Sequence, residues 1–122
     1  MRGFRDLRIW QEAHKLSVEI YKITGEFPKE EKYDLISQMR SSSNSVSAQI
    51  AESHGRYFYA DKVRVLYQAR GEAEETRSHL SLANKLGYIS VSEFSEYDRR
   101  YEDLSIRINA YIVSLKKPIN KS

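Results

Sequence analysis

Apolar residues recur along this chain at intervals of three and four, the repeat of a helix face. Ile9, Trp10, Ala13, Leu16, Ile20 and Ile23 make one stripe and predict a first helix over residues 7–24. Asp6 stands where an N-cap would, Gly25 where a C-cap would, and Phe27-Pro28 turns the corner. Leu35, Met39, Ser42, Val46, Gln49 and Ser53 continue at spacings of 4, 3, 4, 3 and 4, predicting a second helix over 30–53. Ile36, Ser43 and Ile50 run beside them at sevens. The middle of this segment, Ser41 to Ser47, is nearly all small residues. It reads as a surface that a neighbouring helix approaches closely, with hydroxyls bonding back to the preceding turn. A disordered serine linker is the alternative, set against a stripe that continues on both sides of the run.

Val63, Leu66, Ala69 or Arg70, Ala73, Thr76, Leu80 and Ala83 mark the inner face of a third helix over 61–86, which stops at Gly87. Gly71 lies inside it and costs about 1 kcal/mol relative to alanine, so close backbone packing is expected in compensation. Ser90-Val91-Ser92-Glu93 has the form of a capping box. Phe94, Tyr97, Tyr101, Leu104, Ile108, Tyr111 and Leu115 then repeat at 3, 4, 3, 4, 3 and 4, a bundle seam over 91–115 that Pro118 ends. The tyrosine hydroxyls on that seam each need a partner or water. No strand-like alternation or long internal repeat stands out. The expected fold is all-α, an antiparallel up-down-up-down four-helix bundle in a single domain over residues 1–122.

Composition narrows the function. The 122 residues suffice for one core. No stretch approaches the ~18 apolar residues of a membrane span, and the N-terminus lacks the apolar heart of a signal peptide. The expectation is a cytoplasmic protein without a membrane partner. Cysteine is absent, which removes disulfides and thiolate chemistry. Twenty basic against 17 acidic residues leave +3, and no quarter of the chain carries more than one net charge. Nucleic-acid binding is permitted by this balance and not demanded.

Catalytic patterns fail one by one. There is no phosphate-binding glycine loop, no H-E-x-x-H and no Glu-x-x-His pair. His14, His54 and His79 fall on different helices or ends, so no metal and no cofactor is expected. Glu72, Glu74 and Glu75 read as a solvated or salt-bridged face, and Ser114-Leu115-Lys116-Lys117 as a helix end. The one constellation with binding character is His54-Gly55-Arg56-Tyr57-Phe58-Tyr59, followed by Lys62 and Arg64. Cations among aromatics suit single-stranded nucleic acid: cations neutralise phosphates and rings stack bases. The plainer alternative has Phe58 and one tyrosine covering the bundle core. Arg2, Arg5, Arg8, Lys116, Lys117 and Lys121 add to a basic rim if the terminal helix ends adjoin. Val18 and Tyr21 on the first helix, with Ile106, Ile112 and Val113 on the fourth, lie off the main stripes and suggest an oligomer.

Several segments resemble a known family. Phe4-Arg5-Asp6-Leu7-Arg8-Ile9-Trp10-Gln11-Glu12-Ala13-His14 is similar to the opening of the four-helix bundle proteins encoded in bacterial 23S ribosomal RNA intervening sequences. Phe27-Pro28-Lys29-Glu30-Glu31, Tyr33-Asp34-Leu35 and Ser37-Gln38-Met39-Arg40 resemble that family's next signature. Ser45-Val46-Ser47-Ala48-Gln49-Ile50-Ala51-Glu52 with Gly55-Arg56 resembles its S-I-P-A-N-I-A-E-G … R core. Leu66-Tyr67-Gln68-Ala69-Arg70-Gly71 with Glu75, then Leu86-Gly87-Tyr88-Ile89, resembles its third helix and exit, so the likeness covers residues 4–115. Ser41 stands in place of a second arginine, Ser47 of a proline, Gln49 of an asparagine, Ser53 of a glycine and Glu72 of a serine. The first change takes a cation from beside Arg40; the proline and glycine losses should smooth the second helix. The resemblance extends to accessory variability determinant proteins of diversity-generating retroelements, and implies a basic homopentamer working with nucleic acid and a reverse transcriptase.

These readings meet in a non-enzymatic oligomer that binds RNA through a basic rim. Arg56, Lys62 and Arg64 are the first-choice phosphate contacts, with Arg40, Arg5 and Arg8 behind them. The rival is an oligomeric scaffold that holds a protein partner, such as a reverse transcriptase, without touching nucleic acid.

Overall fold

The computed structural model describes residues 3–116. Four α-helices carry the chain: α1 Arg8–Thr24, α2 Leu35–Gly55, α3 Tyr59–Lys85 and α4 Val91–Lys116. Single turns of 3-10 helix at Phe4–Asp6 and Lys29–Glu31 precede the first two. No strand occurs among the described residues. Pro118, Arg2, Lys117 and Lys121 lie outside them.

The helices touch in the cycle α1–α2–α3–α4–α1. Cross-helix bonds are compatible with an up-down course. On α2 and α3, Ser53 lies near Lys62 and Ser42 near Thr76. On α3 and α4, Arg70 meets Asn109 and Arg77 meets Asp98. One contiguous core runs through the molecule, with Leu16, Ile20, Met39, Ile50, Leu66, Leu80, Leu104 and Ile108 among its fully buried members.

Local chemistry explains where each helix starts and stops. Asp6 belongs to the first 3-10 turn and is not the cap; Leu7, buried and extended, takes that position. A buried leucine at the entry fixes the approach of the chain at the expense of a side-chain cap. Gly25 is the C-cap, but with right-handed backbone at φ −62°, so the left-handed freedom of glycine goes unused there. The second helix starts at Leu35 and not at residue 30. The charged run Lys29 to Asp34 has no apolar stripe to bury and makes only a single 3-10 turn followed by a hydrogen-bonded turn. At the end of α3, Gly87 takes φ +80°, Tyr88 N–H donates to Ala83 O (2.9 Å) and Gly87 N–H to Asn84 O (3.0 Å), a Schellman closure. The capping box forms as the sequence suggests: Glu93 N–H donates to Ser90 Oγ and Ser90 N–H to Glu93 Oε1, both at 3.0 Å.

The serine run is helical, so the linker alternative fails. Ser42, Ser43, Ser47 and Ser53 are buried. Ser43, Ser47 and Ser53 donate to carbonyls three residues back at 3.2, 3.1 and 2.7 Å. Ser42 Oγ meets Thr76 Oγ1 of α3 at 2.7 Å, and Ser17 of α1 stands 3.4 Å from Ser43. Small hydroxylated residues let α2 sit close to both neighbours while keeping each polar atom bonded.

Three expectations about the core need correction. Nothing packs against Gly71, which faces solvent with no atom within 4 Å of where a Cβ would be. Ile112 is a core residue and not part of an outer face. Val65 is fully buried, whereas Val63 is only partly so. The seam tyrosines divide. Tyr97 donates to Glu19 (3.2 Å) and is pushed up to about 12 by burial and the Glu19 charge. Tyr101 is 0% exposed, yet its hydroxyl has no hydrogen-bond partner among the described residues.

Candidate nucleic-acid interface

The α2–α3 connection is short because α2 runs on to Gly55 and α3 begins at Tyr59. Arg56 and Phe58, the flanking caps, are both extended, so three consecutive side chains are thrown outward. Tyr57 is 87% exposed and Phe58 65% exposed. Their rings meet edge to face, centroids 5.0 Å apart. Neither covers the core, which removes the plainer alternative for this segment. Two adjacent aromatics in water on a turn form a platform on which a flat ring can stack.

The six nominated cations fare differently. Arg56 pairs with Glu52 one turn back on α2, an exposed contact that also raises the arginine's proton affinity. Arg64 stands 3.7 Å from Asp61, and both side chains are about half exposed. Arg5 lies over the Phe4 ring at 4.6 Å, and Arg8 is exposed at the first turn of α1. Such surface pairs are weak, and a phosphate can replace the carboxylate. Lys62 is committed elsewhere. Its Nζ donates to Ser53 O (3.3 Å) and His54 O (3.2 Å), closing the carbonyl end of α2.

Arg40 does not join the group. Its Nε donates to Thr24 Oγ1 (2.9 Å) and its Nη2 to Tyr21 O (3.0 Å), and the guanidinium lies over the Tyr21 ring at 4.9 Å. It therefore sits against the C-terminal turn of α1. The 17 residues of α1 put that turn about 25 Å from Arg8. The sequence displayed Arg40 as a cation but could not show which helix end it would close.

The remaining chemistry is dispersed. His14 stacks on Trp10 at 4.6 Å, His79 lies 3.3 Å from Glu75, and His54 is in the last turn of α2. Among the described residues no cluster of three His, Asp or Glu side chains could hold a metal. Glu74 binds Arg77 (3.2 Å), and burial with the neighbouring Glu75 charge raises the Glu72 carboxyl above its ordinary value. Ser114 donates to Tyr111 O at 2.6 Å. No described helix is long and apolar enough to cross a membrane.

Sequence reading missed the cations that join α4 to its neighbours. Arg77 binds Asp98 through two nitrogens at 2.8 and 3.2 Å. Arg100 binds Glu19 through two nitrogens at 2.9 Å each and reaches Glu12 at 3.4 Å. Each also has a partner on its own helix, Glu74 for Arg77 and Glu96 for Arg100, at a spacing the sequence displays; the partners on other helices depend on packing and are not displayed.

No curated protein matches this sequence. A solved structure of a protein of unknown function from the S23 ribosomal protein family of Bacteroides thetaiotaomicron is similar in fold. The TM-score is 0.76 at 21% identity, over 85% of this chain and 97% of the other. The family model described as 23S rRNA-intervening sequence protein matches residues 5–110, and this chain belongs to that family.

Proposed function

We propose that the chain is a non-enzymatic, oligomeric bundle that binds single-stranded RNA at the α2–α3 turn. In this reading the four helices run up and down in turn. The turn then lies at the same end as the start of α1, and Arg56, Arg64, Arg5 and Arg8 surround the Tyr57–Phe58 platform. The observation that carries the proposal is the exposure of that aromatic pair beside Arg56. Lys62 supports the turn by holding the end of α2 and is a positioning residue here. Repetition of a +3 subunit around an oligomer, five copies by the family resemblance, would raise the local field severalfold.

Filter binding of an unstructured RNA oligonucleotide across a salt series tests this. Log affinity should fall linearly with log salt, by about 0.7 per phosphate neutralised. Arg56→Glu with Arg64→Glu should abolish retention. Tyr57→Ala should cost about 1–3 kcal/mol if one base stacks there. A flat salt series, or full retention by the double charge reversal, would sink the reading.

A scaffold is the second reading, favoured by the apolar residues Val18, Ile106 and Val113 that α1 and α4 leave exposed. It would hold a protein partner, a reverse transcriptase by the family resemblance, and would retain no RNA at any salt concentration.

A further inference from the structure

A cavity of about 390 Å³ opens where α1 ends, at the far end of α1 from the Arg8 turn. Phe27 and Ile36 form its floor, Thr24 one wall, and Lys29, Lys32 and Arg40 its rim. Three cations meet there and no carboxylate lines it. None of the three is paired with an acid among the described residues. The nearby Glu31 is turned away, accepting the Tyr88 hydroxyl at 2.7 Å.

Concentrating like charge on a concave, partly apolar surface is unfavourable without an anion, and such a surface focuses the field that attracts one. Arg40 is already fixed by Thr24, the Tyr21 carbonyl and the Tyr21 ring, so its guanidinium loses little freedom on binding. Its bond to that carbonyl also offsets the negative end of the α1 dipole, which would otherwise repel an anion. Lys29 and Lys32, three apart across a 3-10 turn, extend over the same opening.

We propose that this corner binds a small phosphate monoester carrying a flat organic body, of the size of a mononucleotide. The phosphate is held by Lys29, Lys32 and Arg40, and the flat body rests on Phe27 and Ile36. The volume falls in the range of small-molecule sites. The proposal is independent of RNA binding at the α2–α3 turn.

Calorimetric titration of the full chain tests it, with adenosine monophosphate and inorganic phosphate as separate probes at low salt. The monophosphate should bind with a dissociation constant below about 1 mM, and inorganic phosphate about tenfold more weakly. Lys29→Gln with Lys32→Gln should weaken the monophosphate at least about tenfold by removing two of three cations. Both lysines are exposed, so a thermal melt should show the variant folded. Arg56→Glu with Arg64→Glu should bind it unchanged. Absence of binding, equal affinity for both probes, or undiminished binding by the lysine variant would each overturn the assignment.

Discussion

At the scale of single residues, Tyr101 and Gly71 each carry a cost with no visible return. The Tyr101 hydroxyl is stripped of water without gaining a partner among the described residues, and burial pushes its ionisation far up. Tyr101→Phe keeps the ring and removes the orphan. It should stabilise the fold by about 1 kcal/mol, read as a higher midpoint in urea with unchanged slope. Gly71 is an exposed helical glycine whose absent side chain nothing fills. Gly71→Ala should add about 1 kcal/mol and raise the melting temperature by several degrees. The sequence places this glycine inside the helix, and the structure agrees. Its supposed compensation depended on which way residue 71 faces, and a register near the edge of the apolar stripe did not decide that.

At the scale of elements, bonds spanning three or four residues were legible and bonds between helices were not. The Ser90–Glu93 box and the Gly87 stop need only their own turn, and both formed where the pattern put them. The cap of α1 falls on the buried Leu7 in place of Asp6, and α2 starts five residues later than residue 30 because the charged run before Leu35 has no apolar stripe. Of the candidate site, the aromatics and cations were visible as residue types, but the exposure of Tyr57 and Phe58 and the commitments of Lys62 and Arg40 depended on how the helices pack. The same holds for the α1–α4 seam, where Arg100 joins Glu19 and Glu12. Its hydrogen bond holds the Glu19 carboxyl below the ordinary 4.5, against the opposing effect of burial. A depressed acid contributes stability that is present above its unfolded value and lost as pH falls through its folded value. Glu72 has the opposite sign: burial raises it, so its charge destabilises at neutral pH and the penalty lifts on acidification. Glu19→Gln should therefore lower stability at pH 7, by about 1–3 kcal/mol, and flatten its loss below about pH 4.5. Glu72→Gln should raise stability at pH 7 and make no difference in acid. Chemical denaturation at a series of pH values separates the two, and equal behaviour of both variants would refute the assignment.

For the whole molecule, the question is what the outer faces of α1 and α4 meet. Ile106 is 61% exposed and Val113 59% exposed, and their separation of seven positions puts both on one side of α4. An apolar pair on a helix whose core face is already filled by Tyr101, Leu104, Ile108 and Ile112 has no task inside the subunit. The α1–α4 seam is fastened by charged pairs, which survive in water and do not need a neighbouring copy. Removing the apolar pair should thus separate subunits without unfolding them. Light scattering after size exclusion should give the native chain a mass several times 14.3 kDa, and Ile106→Glu with Val113→Glu a mass of 14.3 kDa with an unchanged helical circular-dichroism spectrum. If RNA binding depends on cations gathered from several copies, the dissociated variant should also bind RNA more weakly and show a shallower salt slope, although Arg56, Arg64, Tyr57 and Phe58 are untouched. A native chain that runs as a monomer would refute the oligomer. A dissociated variant that keeps the full salt slope would leave the site within one subunit and remove the need for a ring.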